Sequence, residues 1–129
     1  MEQKKIKILV VDDARMIRDC VKYYFKTKGF IVLSAGSAEE ALPIIIGHRP
    51  EIMLVDRELP GISGADLLRL VREINTTIKV IMLSDSDYQI DSHLSELQVR
   101  DFINKPIHVA ELDAAVRRIL DEQGTASNQ

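Results

Sequence analysis

Glu51-Ile-Met-Leu-Val-Asp-Arg-Glu-Leu-Pro-Gly61 decides how the rest of the chain is read. Its apolar run, Ile52 to Val55, ends in one carboxylate, Asp56, and a Pro60-Gly61 turn follows. A short apolar run bounded by turn signals reads as a strand buried on both faces, as in parallel sheets. An ionised side chain inside such a strand is costly, so Asp56 belongs at its C-terminal end. In open α/β sheets that is the end where ligands bind.

The same form recurs outward along the chain. Upstream, the β-rich run Ile6 to Val11 ends in Asp12-Asp13. Downstream, Val80-Ile-Met-Leu83 ends in Ser84-Asp85, and Asp101 to Asn104 leads into Lys105-Pro106. Ile31 to Ala35 supplies another short strand. Helical spacing fills the intervals. Met16, Ile17, Cys20, Val21, Tyr24 and Phe25 predict a helix from Ala14 to Lys28, stopped by Gly29, with Cys20 packed on its apolar side. Ser37-Ala-Glu-Glu40 has the form of a capping box. The helix it opens should be kinked or cut short by Pro43, at a cost of roughly 3 kcal/mol. Ser63 to Asp66 caps a third helix carried by Leu67, Leu70, Val71 and Ile74. Ile90, Leu94 and Leu97 mark a fourth whose thin apolar face makes it the least firmly packed. Leu112, Val116, Ile119 and Leu120 define a fifth.

Strands alternating with helices five times predict an α/β fold: a five-stranded parallel sheet with helices on both faces, order 2-1-3-4-5. The first and third strands then adjoin at the switch point. Asp12, Asp13 and Asp56 converge in one crevice, with Ser84 and Lys105 beside them.

Bulk properties narrow the function. The 129 residues suffice for one domain with a real core, and 46% hydrophobic with 29% charged residues is an ordinary globular balance. A net charge of −3 gives no bulk electrostatic reason for direct nucleic-acid binding. The single cysteine excludes an intrachain disulfide and fits a cytoplasmic setting. No apolar run approaches the length of a membrane span. His48, His93 and His108 lack metal-ligand spacing and read as surface residues. Neither G-x-x-x-x-G-K-[ST] nor G-x-G-x-x-G occurs.

The crevice itself points to phosphoryl chemistry. Three carboxylates in one site raise one another's pKa or recruit a cation. An all-oxygen donor set suits Mg²⁺, which takes one or two carboxylates plus a phosphate oxygen. Lys105 adds a point charge suited to phosphate, and Ser84 a hydroxyl that can hydrogen-bond a phosphoryl oxygen. A carboxylate nucleophile with these neighbours has the parts of a phosphoryl-transfer site. A dehalogenase-type phosphatase would want a second Asp two residues after a nucleophile on the first strand, and Ala14 stands there. A flavin-binding module would have its phosphate repelled by Asp12-Asp13.

Four motifs in order, Ile8-Leu-Val-Val-Asp-Asp13, Met53-Leu-Val-Asp-Arg-Glu-Leu-Pro-Gly61 with Gly64, Val80-Ile-Met-Leu-Ser84 and Asp101-Phe-Ile-Asn-Lys-Pro106, resemble the receiver domains of two-component response regulators. The resemblance spans about Ile6 to Leu120. It implies a flavodoxin-like doubly wound receiver domain over residues 1–121, with 122–129 as a polar tail or the start of a linker. It implies that Asp56 accepts a phosphoryl group from a sensor histidine kinase or histidine phosphotransfer protein. Asp12, Asp13, Asp56 and the backbone carbonyl of Glu58 would hold Mg²⁺. Ser84 would be the switch hydroxyl, Lys105 the phosphate-binding lysine and Phe102 the switch aromatic. Phosphorylation would reshape the face formed by the fourth helix, fifth strand and fifth helix, toward a downstream partner, an output domain or a second copy in a homodimer. Such a protein is a signalling phospho-acceptor and catalyses only its own phosphotransfer and dephosphorylation.

The chain departs from that pattern at several points. Asp85 stands where a small residue is usual after the switch hydroxyl. It either faces the site, altering phosphorylation kinetics, or points to solvent. An interaction module with weak or no phosphorylation is therefore the alternative reading. Gln98-Val99 replaces a common Gly-Ala before the fifth strand, and Ile107 a common Phe. Glu58 and Ser86 occupy positions that resemble lifetime-tuning sites in the family.

Overall fold

The computed structural model describes residues 5–75, 77–85 and 97–128. In order, they form β1 (Lys7–Val11), α1 (Arg15–Thr27), β2 (Ile31–Ala35), α2 (Ala38–His48), β3 (Ile52–Asp56), α3 (Gly64–Ile74), β4 (Lys79–Ser84), β5 (Val99–Asn104) and α4 (Val109–Asn128). All strand pairs are parallel, in the order β2-β1-β3-β4-β5. This is the doubly wound sheet that the strand–helix alternation predicts. α4 is the fifth helix of the sequence pattern. The expected fourth helix, with Ile90, Leu94 and the preceding Ser86, lies outside the described residues, as does His93. Leu97 falls in the turn entering β5.

Side-chain alternation splits the core in two. Leu9, Val11, Met53, Val55, Val80 and Met82 face one side, where Ala38, Ala41, Ile45, Leu67, Leu68 and Val71 cover them from α2 and α3. Ile8, Val10, Ile52, Leu54, Ile81 and Leu83 face the other, under Val21 and Phe25 of α1 and Leu112, Ala115, Val116 and Ile119 of α4. β1, β3 and β4 are thus buried on both faces, which is why they read as continuous apolar runs.

Three expectations about helices need correction. Cys20 is exposed rather than packed in the core. The inward stripe of α1 is Val21 and Phe25, flanked by Ile17 and Tyr24, while Met16 is 82% exposed and Tyr23 also faces out. Apolar residues on both flanks made the stripe look wider than it is. Leu70 and Ile74 of α3 are likewise exposed, and Leu68 takes the core position. Pro43 does not end α2, which continues to His48. Ser37 Oγ accepts from Glu40 N (3.1 Å), Glu40 Oε1 accepts from Gly36 N (2.6 Å), and Ala38, Ala41 and Ile45 are buried. Capping and packing together offset the lost backbone hydrogen bond. α4 continues through 122–128, the residues expected as a polar tail or the start of a linker. Among the described residues, no helix is long and apolar enough to cross a membrane.

The entry to β5 carries local strain. Gln98 has φ 63°, a left-handed conformation in which a Cβ is disfavoured. The β4–β5 register then shifts between Val80 and Ile81, leaving Arg100 as an extra residue. The guanidinium of Arg72 holds this turn, donating to Leu97 O (2.8 Å), Ile78 O (2.7 Å) and Gln98 O (3.4 Å). Burial pushes the Arg72 pKa below its ordinary value, yet the group stays charged. Because the Gln98 side chain is exposed, Gln98→Gly should relieve the strain without losing packing. The expected gain is about 0.5–1 kcal/mol, left after the added chain entropy of glycine. Urea denaturation should show the midpoint rising at unchanged slope.

Candidate functional site: an acidic crevice at the switch point

The site forms where β1, β3 and β5 end. Period-2 alternation carries the face of Ile8 and Val10 on to Asp12, that of Ile52 and Leu54 on to Asp56, and that of Ile103 on to Lys105. Backbone bonds extend the ladder past the strands: Asp12 N donates to Ala35 O, Arg57 N to Leu83 O (2.7 Å) and Lys105 N to Ser84 O (2.8 Å). Asp12 is fully buried and Asp56 is 2% exposed, whereas Asp13 lies on the exposed rim. Carboxylate oxygens of all three lie within 4.8 Å of one another.

Each buried carboxylate has one oxygen tied to the backbone. Asp12 Oδ1 accepts from Ala14 N (2.9 Å), and Asp56 Oδ1 accepts from Glu58 N (3.0 Å). The second oxygens turn toward Lys105, whose Nζ is 3.0 Å from Asp12 Oδ2 and 3.4 Å from Asp56 Oδ2. Despite that distance, Asp12 Oδ2 receives no well-directed hydrogen bond, although it is fully buried. Burial pushes the Asp56 carboxyl above its ordinary value. The Glu58 amide opposes this, the Asp12 charge adds to it, and Lys105 pulls it back only in part. Burial alone would lower the Lys105 pKa, but Asp12 and Asp56 outweigh it and hold the ammonium above its usual range. One cation faces two buried anions and a third at the rim. An all-oxygen set with negative charge to spare, one buried oxygen of which has an ion pair but no directed hydrogen bond, fits a hard divalent cation.

Ser84 and Asp85 close the opposite wall. Ser84, 2% exposed, donates from Oγ to Glu58 Oε2 (2.9 Å), and Asp85 N donates to Glu58 Oε1 (3.0 Å). Burial raises the Glu58 pKa, but the Asp85 amide and Ser84 hydroxyl outweigh it, helped by Arg57 and Lys105. The net shift is downward. Asp85 is at the mouth: its side chain is 70% exposed, yet Oδ1 lies 4.0 Å from Lys105 Nζ. It both faces the site and meets solvent. Phe102 is half-buried, pairs with Met82 in register and packs on the α2–α3 side of the sheet, the face on which Ser84 lies by alternation. It does not line the carboxylate crevice. Ser86 lies outside the described residues.

The loop after β3 is shaped by two glycines. Gly61 has φ 76°, as a Pro-Gly turn demands. Gly64 N donates to Arg57 O (3.1 Å), and a Cβ on Gly64 would overlap the Asp56 carbonyl oxygen and sit 3.0 Å from Arg57 Cα. α3 can therefore start directly against the Asp56 backbone. Across the crevice, Arg18 Nη1 donates to the Asp12 carbonyl (2.8 Å), fixing the β1 end from α1. Two contributions were missed from sequence. Arg18 gave only a helical charge next to the site. The Glu58 side chain reaches partners 26 and 27 residues away, for which local patterns carry no signal.

The site is thus a lysine-closed acidic crevice at the switch point of a small doubly wound α/β domain. The model of the response regulator receiver domain matches residues 8–117, and the chain belongs to that family. Receiver domains are signalling modules. Among similar solved structures is a response regulator receiver domain protein (CheY-like) from Methanospirillum hungatei JF-1. It is 27% identical and superposes over 95% of this chain and 99% of that one, with a TM-score of 0.85. A response regulator receiver protein from Pseudomonas putida is 29% identical over 91% of this chain and 99% of that one, TM-score 0.82. A probable two-component system response regulator/GGDEF domain protein is 30% identical, TM-score 0.81. There the match covers 91% of this chain but 50% of the other.

Gly64→Ala should move the Asp56 backbone or fail to seat α3. Overpacking of this kind costs about 1–3 kcal/mol or more. Chemical denaturation should show a loss of at least about 1 kcal/mol, against the few tenths usual for a helix-start substitution.

Proposed function

We propose that this chain accepts a phosphoryl group on Asp56 from a phosphohistidine of a sensor histidine kinase or histidine phosphotransfer protein. The observation that carries the reading is the Asp12–Asp13–Asp56 cluster closed by Lys105, with the buried Asp12 Oδ2 left without a directed hydrogen bond. Asp12, Asp13, Asp56 and the Glu58 backbone carbonyl would hold Mg²⁺. The ion supplies charge neutralisation on the transferring group. An Asp56 carboxylate oxygen forms the new P–O bond while the P–N bond to the donor imidazole breaks, its electron pair staying on nitrogen. Lys105 neutralises a phosphoryl oxygen, and Ser84 donates its hydroxyl proton to another. Phe102, on the Ser84 face of β5, answers the change at Ser84 and alters the surface of that sheet edge.

The chain is in this reading a phospho-acceptor, cytoplasmic, acting only on its own phosphoryl group. Its partners are the phosphodonor and a downstream protein or output domain. The GGDEF-containing neighbour, half of which the chain matches, offers one precedent for such an output. Pairing of two phosphorylated copies through β5 and its flanking helices would have to reorganise charges that are already paired. Asp101 bonds Arg118, and Arg117 bonds Asp113 (2.8 Å), within one chain.

Incubation with Mg²⁺ and acetyl phosphate, followed by intact mass measurement, tests the reading. One phosphoryl group should appear in wild type and none in Asp56→Asn or without the metal. No mass gain in wild type favours the rival, an interaction module that is not phosphorylated, which rests on Asp85 standing at the mouth beside Lys105. A solvent-exposed carboxylate close to an incoming anion opposes it by about 1 kcal/mol. Asp85→Ala should then be phosphorylated about fivefold faster, a factor of that free energy. Equal rates of phosphate gain and loss would remove Asp85 as a modulator.

A further inference from the structure

The Glu58 carboxylate fills a ready-made anion cradle beside Asp56. Two donors from a distant part of the chain converge on it, Ser84 Oγ on Oε2 at 2.9 Å and Asp85 N on Oε1 at 3.0 Å. Its own backbone N is bonded to Asp56 Oδ1 at 3.0 Å, so cradle and proposed acceptor are joined through one residue. Ser84 is buried, and its hydroxyl carries a single proton to donate. That proton cannot serve Glu58 and a phosphoryl oxygen at once. We infer that the Glu58 side chain is a built-in competitor for the phosphoryl group, holding Ser84 and the Asp85 amide in the unphosphorylated protein and giving them up when Asp56 is charged.

This rests on Asp56 being the acceptor. The chemistry of the exchange is symmetrical: an anionic, two-oxygen group occupies the two donors in one state, and a phosphoryl group takes the hydroxyl in the other. A phosphoryl group brings a charge of about −1.5 to −2 next to Glu58, which drives the carboxylate out. Arg57 Nη1, already 3.4 Å from Glu58 Oε2 and near the surface, stands on the outward side to receive it. Ser84 would then not swing in from a resting position free of anions. It would change from one anion to another, so its availability is set by how firmly Glu58 is held.

Beryllofluoride with Mg²⁺, a stable stand-in for an aspartyl phosphoryl group, measures the competition at equilibrium. Glu58→Ala should bind it about tenfold more tightly than wild type, since a charge-assisted hydrogen bond must otherwise be given up. Most of that gain should vanish when the same substitution is made in a Ser84→Ala background, because the contested donor is gone. Glu58→Gln, which keeps an acceptor without the charge, should lie between. In the protein without beryllofluoride, the Asp85 amide proton resonance should move upfield in Glu58→Ala as its acceptor is lost. Affinities for wild type and Glu58→Ala within twofold of each other overturn the inference. An equal gain with and without Ser84 also overturns it, since it reduces Glu58 to general charge repulsion. If no variant binds beryllofluoride, the acceptor reading fails and the competition with it. A shifted Asp85 resonance in that case would still leave the Glu58 contact itself standing, which separates the two failures.

Discussion

Two buried carboxylates share one lysine, and much of this molecule is arranged around that imbalance. Removing Asp12 and Asp56 from water is costly unless each finds partners. The sheet supplies them by ending its strands there. Chain direction reverses after β1 and β3, so the amides of Ala14 and Glu58 turn back onto the carboxylates. β5 contributes Lys105 from the far side, on the same face of the sheet. Even so, the count of charges stays negative, and Asp12 Oδ2 is left without a directed donor. A cavity with that deficit could hold a metal ion.

Continuous apolar runs bounded by turn signals made the strands legible in the sequence, and the charged residues at their ends made the cluster legible with them. Once Ile8-Val10, Ile52-Leu54 and Ile103 are recognised as inward residues of parallel strands, Asp12, Asp56 and Lys105 follow as the next residues on that face. The order 2-1-3-4-5 comes from known doubly wound sheets, since alternation and crossover hand leave other orders open. Helix faces were less legible where apolar residues occur outside the stripe. Met16, Cys20, Leu70 and Ile74 all widen the apparent face without being covered. Pro43 misled in the opposite direction, because a local propensity was outweighed by a capped first turn and three buried side chains. The partners of the Glu58 and Arg72 side chains could not have been read from the sequence. Their hydrogen bonds span 26 residues and 25 residues, and nothing periodic connects the ends.

Ser84 and Phe102 occupy a different part of the design from the carboxylates. They lie toward the α2–α3 side, on strands that share a register, with Met82 between them in the alternation and opposite Phe102. Ser84, Met82 and Phe102 thus lie on one face of the sheet, away from the Asp12–Asp56–Lys105 cluster on the other. Gln98 and the extra residue Arg100 place their strain at the start of β5, two to four residues before Phe102.

The close contact at Gly64 gives α3 a mechanical role. Its N-terminal end abuts the Asp56 backbone, and near its C-terminal end Arg72 grips the carbonyls of Leu97 and Gln98. A helix is stiff along its axis, so α3 works as a strut between the end of β3 and the beginning of β5. Lys105 ties the other end of β5 to the same aspartate. Both ends of β5 therefore lead back to Asp56, one through the length of α3 and one through a single ion pair, while its middle, where Phe102 sits, is laced to β4.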